Sequence, residues 1–457
     1  MRERDFLGEI DILDGARWGA HTERARRNFA VAGRAVDPGL VRAYALVKKA
    51  CARANREGGW LDSRIADAIE VACDEIARGG HADQFPVDAL QGGAGTSTNM
   101  NLNEVIASLA SEGGGVAVDP LDHVNLHQST NDTYPTALRV ALLYAFRELA
   151  SRAEGLQSAF QAKEREFAAI VTVGRTELRT AVPLTLGSEF GALAEAFARD
   201  RWRAFKCEER LRVVNLGGVA VGTGLGAPRD YIFRATDRLR EITGLPLARA
   251  ENLVDATANA DAIVEASGIA KAFACDLVKA ARDLRFLSHT GEIALEPVQA
   301  GSSAMPGKVN PVLLEAAMQA GMRAQAEDSL VAAAASAGSL QINEFLPLIA
   351  DASLGALRAL AGGAACLERC VRSIVADRER CRELVDADPM IVSAFVPILG
   401  YDGAGELLRE WESSSSAGRP TLRSFLEAKL GADEVARVLS PEALMSLGFR
   451  GEPGGKR

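Results

Sequence analysis

The stretch IVEASGIAKAFACDLVKAARDLRFL, residues 263–287, sets the fold class of this chain. Apolar side chains recur in it at steps of three and four residues, which places them along one side of a long helix. They are Ile263, Ala266, Ala270, Phe273, Leu277, Ala281, Leu284 and Leu287. The small alanines in this stripe allow neighbouring helices to approach closely, as they do in a helical bundle.

Four further stretches carry similar helical patterns, and several are long for helices of a globular protein. They lie at residues 137–170, 187–214, 312–335 and 351–376. Aromatic residues make up only 5% of the 457 positions, and alternating β-branched runs are scarce. The sequence therefore predicts an all-α protein built on an extended bundle. Its apolar helix faces are broad for a lone monomer, which indicates burial between subunits.

Glycine-rich breaks interrupt the helical patterns at residues 113–115 and 222–226, where we expect loops. The second break reads GTGLG, but its glycine spacing differs from that of a dinucleotide-binding fingerprint and no strand is predicted before it. The tail at residues 451–457 is predicted to be disordered.

The charge balance argues against a nucleic-acid binder. The formal net charge is −9, and no run of Lys and Arg offers a footprint for phosphates. We expect no apolar stretch long enough to cross a bilayer. The N-terminal sequence MRERDFLGEIDILDG also lacks the apolar segment of a secretory signal. The prediction is a cytoplasmic protein without nucleic-acid or membrane partners.

Cysteine usage predicts a reduced protein without a bound metal. The seven cysteines are odd in number and include no C-x-x-C pair. Cys366 and Cys370 lie one helical turn apart, which suits either a metal pair or two small residues on a packed helix face. The second interpretation is favoured. The five histidines are scattered and supply no plausible zinc set.

The segment GSSAMPGKVNP, Gly301–Pro311, is the strongest candidate for chemistry. It combines flexible glycines with two adjacent hydroxyls, one cation and one carboxamide. Such a loop can fold over a small anion and direct its donors at carboxylate oxygens. Its composition is typical of a mobile lid that carries catalytic groups.

A phosphate-binding P-loop is excluded for the same segment. That motif needs four residues between its glycines and a Ser or Thr after the lysine. Here five residues separate Gly301 from Gly307, and Val309 follows Lys308.

Three further polar clusters stand in otherwise apolar surroundings. They are GGAGTSTNMNLNE at residues 92–104, HVNLHQSTNDTYPT at residues 123–136 and GRTELRTAVPLTLG at residues 174–187. Each offers hydroxyls or amides beside a glycine or a helix start, where free backbone N–H groups bind anions. Any one of them is more simply a helix cap, and Ser129, Thr130 and Asn131 before a helix at Pro135 would form a good one. Four clusters together favour a binding site.

These motifs resemble those of the fumarase/aspartase superfamily of lyases. GSSAMPGKVNP resembles the most characteristic loop of that superfamily. FPVDALQGGAGTSTNMNLNEV, Phe85–Val105, is closer to the aspartate ammonia-lyase branch than to fumarases. The resemblance extends from Glu3 to the neighbourhood of Tyr401.

The resemblance implies an all-α homotetramer whose subunit has three domains. Their expected bounds are 1–133 for an N-terminal helical domain, 134–387 for a central long-helix bundle and 388–457 for a small C-terminal helical domain. Each active site is expected to combine residues of three subunits, which explains how distant clusters can converge. The substrate is a small dicarboxylate or amino acid, and no cofactor or metal is implied.

The implied reaction is a reversible anti-elimination that converts L-aspartate to fumarate and ammonia. The family pattern makes Ser302 the base, with its alkoxide favoured by Lys308 and by loop N–H groups. Around the carboxylate that becomes an enediolate, the resemblance implies four binding residues, Thr96, Ser129, Thr130 and Ser303. For the other carboxylate it implies Thr176, Lys308 and Asn310, and for the leaving group Asn131.

Several residues depart from the family pattern. Glu177 stands where fumarases and some aspartases have histidine, and Glu315 is expected to lie against it. Two adjacent carboxylates would keep one protonated near neutrality, able to donate to the leaving group. Arg179 and His127 are also unusual; Arg179 either neutralises local acidic charge or contacts a larger substrate. Asp119 replaces a histidine of a second dicarboxylate site in fumarases, so that site is not expected.

Three alternatives stay open from the sequence. The first is a fumarate hydratase, against which Glu177 argues. The second is an ammonia or amine lyase for a substituted aspartate, which Arg179 keeps open. The third is a catalytically silent structural tetramer, against which the joint presence of Ser302, Lys308 and Asn310 argues.

Overall fold

The computed structural model describes residues 2–414 and 419–448, and within them the chain is mainly helical. It divides into two compact units. The first extends to Ser151 and adds Arg201–Cys275 and Ala320–Gly362; the second comprises Arg152–Asp200, Asp276–Gln319 and the described residues from Gly363 onward. The predicted all-α class is confirmed. The expected three-domain division stays a prediction.

The described residues form sixteen α-helices. In chain order these are α1 Ala20–Asn28, α2 Pro38–Glu57, α3 Ser63–Ala77, α4 Thr96–Gly114, α5 Thr130–Glu166, α6 Leu186–Leu211, α7 Arg229–Thr243, α8 Leu253–Ala258, α9 Asp261–Thr290, α10 Val312–Ser336, α11 Leu346–Ser373, α12 Arg378–Ala387, α13 Val396–Ser413, α14 Leu422–Leu430, α15 Ala432–Val438 and α16 Pro441–Met445. The five longest patterns in the sequence correspond to α5, α6, α9, α10 and α11.

The predicted apolar stripe of α9 is confirmed. All eight of its side chains are buried, from Ile263 at the start to Leu287 near the end. Short polar caps delimit other helices. The Asp37 side chain accepts from the Gly39 N–H at the start of α2, and Asp62 accepts from two N–H groups at the start of α3. These caps satisfy donors that have no partner inside the helix.

Short strands, which the sequence did not predict, pair two by two. They are β1 Arg2–Asp5, β2 Gly8–Asp11, β3 Val171–Thr176, β4 Arg179–Thr185, β5 Val213–Val214, β6 Ala248–Arg249, β7 Ile293–Ala294 and β8 Val375–Ala376. β1–β2, β3–β4 and β7–β8 are antiparallel, whereas β5 and β6 run parallel. The β3–β4 hairpin carries the third polar cluster.

In the first unit, α2 is a central helix. It packs against α3 and α7, and α3 packs in turn against α4. Its buried positions include Tyr44 and Lys48. In this way α2 supports α4, which carries the first polar cluster.

The second unit has its own apolar core around β3. Val173 packs there with residues of α12, α14 and α15 and of the 3₁₀ helix Pro389–Phe395. An aromatic group joins α5 to α6, where the ring of Phe160 stacks on Phe197 with centroids 5.5 Å apart. The packing of Val173 fixes the base of the β3–β4 hairpin, whose tip lies between Thr176 and Arg179.

The expectation about apolar length is wrong. Two described helical segments, Leu346–Ser373 and Pro389–Ser413, are long and apolar enough to cross a membrane by length and composition alone. The core helix of a globular protein passes the same test, and 61% of the apolar window in Leu346–Ser373 is buried.

The glycine break predicted at residues 113–115 begins two residues too early, because Gly113 and Gly114 belong to α4, whereas the break at residues 222–226 is confirmed. α4 ends at Gly114, and Gly115 adopts a left-handed backbone with φ of 62°. Residues 222–226 form turns between β5 and α7. The tail at 451–457 lies outside the described residues.

Candidate active site

The first polar cluster forms a tight turn at the start of α4. Gly93, Ala94 and Gly95 all have left-handed backbones, with φ of 85°, 55° and 93°. A Cβ atom at Gly95 would lie 2.2 Å from the ring of Tyr134, so only glycine fits there. Thr96 is the first helical residue, and its Oγ1 donates to the Gly93 carbonyl at 2.8 Å. The turn brings the first cluster against Tyr134 of the second.

The second polar cluster caps α5, as the simpler interpretation predicts. The Ser129 Oγ accepts from the Asn131 N–H at 3.2 Å, and Asp132 Oδ1 accepts from the Ser129 N–H at 2.9 Å. The bond from the Ser129 N–H to Asp132 is the one made in a capping box, whereas the Ser129 hydroxyl caps the second N–H of the helix rather than the third. The helix begins at Thr130 rather than at Pro135, so the predicted substrate residues lie at and just inside a helix N-terminus.

Pro135 shapes the same helix start. Proline has no N–H, so it leaves the carbonyl of Asn131 without its helical donor. The Asn215 Nδ2 donates to that carbonyl instead, at 2.9 Å. The Asn131 side chain points elsewhere, and its Nδ2 donates to the Ala220 carbonyl at 2.7 Å. The loop after β5 therefore lies beside the residue expected to face the leaving group.

Asp132 is a buried carboxylate of the second cluster that the sequence analysis did not single out. Its side chain is buried, and Oδ2 accepts from the N–H groups of Gly217 at 2.9 Å and Val219 at 3.2 Å. Burial raises the pKa of Asp132 to about 6, against the lowering effect of its backbone N–H donors. The carboxylate thus ties the Ser129 segment to the loop that contains Ala220.

Buried hydroxyls connect the first two clusters through α2. The Tyr44 OH donates to Asn99 Oδ1 at 3.0 Å and lies 2.7 Å from Thr133 Oγ1. Thr133 Oγ1 donates in turn to the Ser129 carbonyl at 2.8 Å. The structure therefore brings the two clusters together within the first unit.

In the second unit, Glu177 lies at the tip of the β3–β4 hairpin. Thr176 pairs with Arg179 across it, and Glu177 and Leu178 both have left-handed backbones, with φ of 54° and 62°. This two-residue turn matches the twist of the strands but usually takes glycine or asparagine. Each residue carries about 1 kcal/mol of backbone strain. Strain of this kind concentrates at functional sites.

A buried ion pair anchors the hairpin. The Arg175 guanidinium lies 2.8 Å from the carboxylate of Glu292, which is fully buried. Glu292 also accepts hydrogen bonds from Thr172 of β3 and from Thr290 at the end of α9. The pair therefore ties the strand that leads to Thr176 to the segment that precedes the Ser302 loop.

The Ser302 loop orders its own backbone around the serine. The Ser302 Oγ accepts from the N–H groups of Ala304 at 3.1 Å and Met305 at 2.9 Å. The Gly301 N–H donates to the Lys308 carbonyl at 2.7 Å, and Asn310 Nδ2 donates to the Gly301 carbonyl at 2.8 Å. Two N–H dipoles aimed at one oxygen stabilise negative charge on it.

The other predicted residues of this loop are accessible. Ser303 and Lys308 are exposed, and among the described residues Lys308 has no carboxylate within ion-pair distance. Its charge is therefore available to an anion. Glu315, at the start of α10, lies 3.6 Å from the guanidinium of Arg285. The structure thus places a cation beside Glu315, and the expected Glu177–Glu315 pair stays a prediction.

The hairpin and the loop line one cleft of about 1230 Å³. Glu177 and Leu178 contribute from the hairpin, and Val309 and Pro311 contribute from the loop. The remaining wall comes from α6 and α9 and mixes arginines and a lysine with carboxylates. Among these, burial raises the pKa of Glu189 to about 7, with a further contribution from Glu292.

The four clusters therefore meet in pairs. The first and second lie together in one unit, and the third and fourth share the cleft of the other. No group of three or more His, Cys, Asp or Glu side chains suited to a metal ion occurs within residues 2–414 and 419–448. His127, flagged by the sequence, is half-buried with a left-handed backbone and bonds through Nδ1 to Asn55 Oδ1 at 2.7 Å.

Comparison with protein families gives a match over most of the chain. A family model described as lyase matches residues 8–326. An aspartate ammonia-lyase of Corynebacterium glutamicum is 41% identical over 465 residues, covering 98% of this chain and 88% of that protein. One of Pseudomonas aeruginosa is 42% identical, covering 97% and 96%.

Solved structures agree with this match. A fumarate lyase:delta crystallin from Brucella melitensis superposes with a TM-score of 0.91 at 42% identity, covering 97% of this chain and 99% of that one. A class II fumarase from Schistosoma mansoni superposes with a TM-score of 0.88 at 30% identity, covering 96% and 98%.

Proposed function

Because this chain belongs to the fumarase/aspartase superfamily of lyases, in its aspartate ammonia-lyase branch, we propose that it removes ammonia from L-aspartate to give fumarate. The enzyme class is carbon–nitrogen lyase. The observation that carries the proposal is the Ser302 hydroxyl, which accepts hydrogen bonds from two backbone N–H groups. The same loop carries Lys308, which forms no ion pair with a carboxylate of residues 2–414 and 419–448.

The chemistry begins with a weakly acidic proton on the carbon next to a carboxylate. Ser302 Oγ takes this proton as an alkoxide, and the electrons of the C–H bond move into the carboxylate to form an enediolate. They then form the C=C bond as the C–N bond breaks, and the amine leaves as ammonia. The proton on Ser302 returns to solvent. Lys308 and the loop N–H groups assist the reaction because they stabilise negative charge on the Ser302 oxygen and so increase the fraction of the serine that is present as alkoxide.

The other predicted residues orient the substrate. Ser129 and Thr130 lie at the N-terminus of α5, where backbone N–H groups and the helix dipole favour a carboxylate. Asn131, at the same helix start, faces the leaving group. Thr176 and Asn310 hold the second carboxylate with Lys308. Hydroxyls and amides bind the dianion without the strong ground-state attraction that several cations would produce.

The test follows the ultraviolet absorbance of fumarate with purified protein and either L-aspartate or L-malate as the only substrate. We expect fumarate from L-aspartate, and a loss of about 10²–10⁴-fold in kcat for Ser302→Ala. Fumarate from L-malate alone would identify a fumarate hydratase. Turnover in the Ser302→Ala protein at the wild-type rate would refute the serine base.

A lyase for a substituted aspartate is the second candidate. It is favoured by the hairpin tip, where Arg179 follows Glu177 and Leu178 and is exposed beside the cleft. If both L-aspartate and L-malate give no fumarate, the same assay with N-substituted aspartates tests this candidate. Arg179→Gln should then reduce turnover of the substituted substrate.

We further propose that the active protein is a homotetramer whose sites combine residues of different subunits. Exposed aromatic side chains on α6 support this proposal, since Trp202 is 63% and Phe205 is 60% exposed in the single chain. Coexpression of two inactive variants, Ser302→Ala and Asn131→Ala, tests it. Activity should return in mixed assemblies, and its absence would mean that each chain supplies a whole site.

A further inference from the structure

Lys48 is a buried cation in the middle of α2. Its side chain has no solvent exposure, and burial lowers the pKa of Lys48 to about 8. The Nζ atom donates to Gln128 Oε1 at 2.8 Å and to Asn125 Oδ1 at 3.1 Å. Both acceptors are neutral amides. A charge held in this way costs free energy of folding, because a carboxylate partner or water would compensate it better.

The acceptors of Lys48 belong to the second polar cluster, and one of them, Asn125, also contacts the first. Asn125 Oδ1 accepts from Asn99 Nδ2 at 3.2 Å and from Asn103 Nδ2 at 3.1 Å, and both donors lie on α4. Three donors thus converge on one amide oxygen. The positive charge of Lys48 draws electron density onto the Asn125 oxygen, and this strengthens the hydrogen bonds that the oxygen accepts.

The network reaches the predicted substrate residues on both sides. Asn99 lies one helical turn after Thr96 on α4. Gln128 directly precedes Ser129, and its Nε2 donates to the Val124 carbonyl at 2.9 Å, which closes the turn before the cap. A single cation is therefore connected to both clusters through amide side chains.

We propose that Lys48 is a positioning residue of the active site: its ammonium fixes Asn125 and Gln128, and through them sets the helix start at Thr96 relative to the helix start at Ser129. It does not touch substrate. The proposal rests on the lyase function proposed above, in which these two helix starts bind one carboxylate. Burial of the Lys48 charge destabilises the fold, but the relative geometry of the two anion-binding helix ends depends on that charge.

The test replaces Lys48 by methionine, which keeps the length of the side chain and removes the charge. Lys49→Met is the matched control, since Lys49 is the next residue of α2 and pairs with Asp74 at 2.7 Å, away from both clusters. Hydrogen exchange read by mass spectrometry reports on segments 96–106 and 124–133. Isothermal titration with fumarate gives the dissociation constant and the stoichiometry.

We expect faster exchange in both segments of Lys48→Met, and a dissociation constant raised about tenfold or more at unchanged stoichiometry. Lys49→Met should match the wild type in both measurements. A lower stoichiometry with an unchanged dissociation constant would refute positioning, because it would show that the Lys48→Met molecules that do fold have intact sites. Wild-type exchange in both segments of Lys48→Met would also refute it.

Two further outcomes keep the proposals separate. If Lys48→Met does not fold, Asn125→Ala cuts the same connection from its other end and should accelerate exchange in both segments; exchange that is accelerated in neither would refute the inference. If the wild type neither binds fumarate nor deaminates L-aspartate, the proposed function fails, and the exchange result alone decides the role of Lys48.

Discussion

Replacement of Gly301 by alanine tests how closely the Ser302 loop is packed. The backbone of Gly301 does not require glycine, because its φ lies outside the left-handed range. The space around Gly301 does require glycine. A Cβ atom would lie 2.9 Å from the Asn310 nitrogen, 2.9 Å from the Lys308 carbonyl oxygen and 3.0 Å from Asn310 Cγ.

The size of the effect follows from these contacts. Comfortable carbon contacts begin near 3.5 Å, so the backbone at residues 308–310 must move by about 0.5 Å. That movement loosens the bond from the Gly301 N–H to the Lys308 carbonyl and displaces Lys308 relative to Ser302. Because a misplacement of about 1 Å can cost 10²-fold, we expect kcat to fall about tenfold to 10²-fold. The loop is exposed, so thermal stability should change little.

The assay is the production of fumarate from L-aspartate, with a thermal melt of the same protein. Gly268→Ala is the control, because Gly268 lies in α9 with no atom within 4 Å of its added Cβ. That change should stabilise the helix by about 1 kcal/mol and leave kcat unaltered. Wild-type kcat in Gly301→Ala would refute the reasoning, and so would a loss of activity matched by a large loss of stability.

Three further predictions concern carboxylates. Asp132→Asn offers one acceptor oxygen for three N–H groups, so we expect kcat/KM to fall about 10-fold to 10²-fold with a lower melting temperature; wild-type kinetics would contradict this. Glu189 has a pKa of about 7 when folded against an ordinary 4.5, so its ionisation costs stability as pH rises through that window. Glu189→Gln should therefore be more stable than wild type above pH 7, by at most on the order of 3 kcal/mol, and equal to it near pH 4, unlike the exposed control Glu195→Gln. Glu177→Gln should change turnover and the pH profile of kcat, and an unchanged profile would exclude Glu177 as a proton donor.

Some features of the site could be predicted because they depend on local composition. The Ser302 loop, with its glycines and single lysine, indicates anion chemistry from its residue types alone. The Ser129 cap follows from the spacing of a serine and an aspartate three positions apart. The prediction that the helix begins at Pro135 was wrong, since it begins at Thr130. Pro135 is tolerated inside the first turns because Asn215 donates the hydrogen bond that the proline cannot give.

Other features could not be predicted because they depend on partners far away in the sequence. Asp132 accepts a hydrogen bond from the N–H of Gly217, which lies 85 positions later. No local sequence pattern predicts this bond. The left-handed backbones of Glu177 and Leu178 run against the usual preference for glycine, so only the paired strands determine them. The pairing of Glu315 with Arg285 likewise arises from α9 and α10 meeting in space.

The sequence by itself determined the helical class, the long stripe of α9 and the four polar clusters, because periodicity and residue type act over a few neighbouring positions. The tertiary structure alone decided which clusters meet. It also brought Lys48 within hydrogen-bond distance of Asn125 and Gln128, which lie nearly 80 positions later in the sequence. A buried charge has meaning only through the groups around it. Those groups come from separate segments, and folding is what brings them to one place.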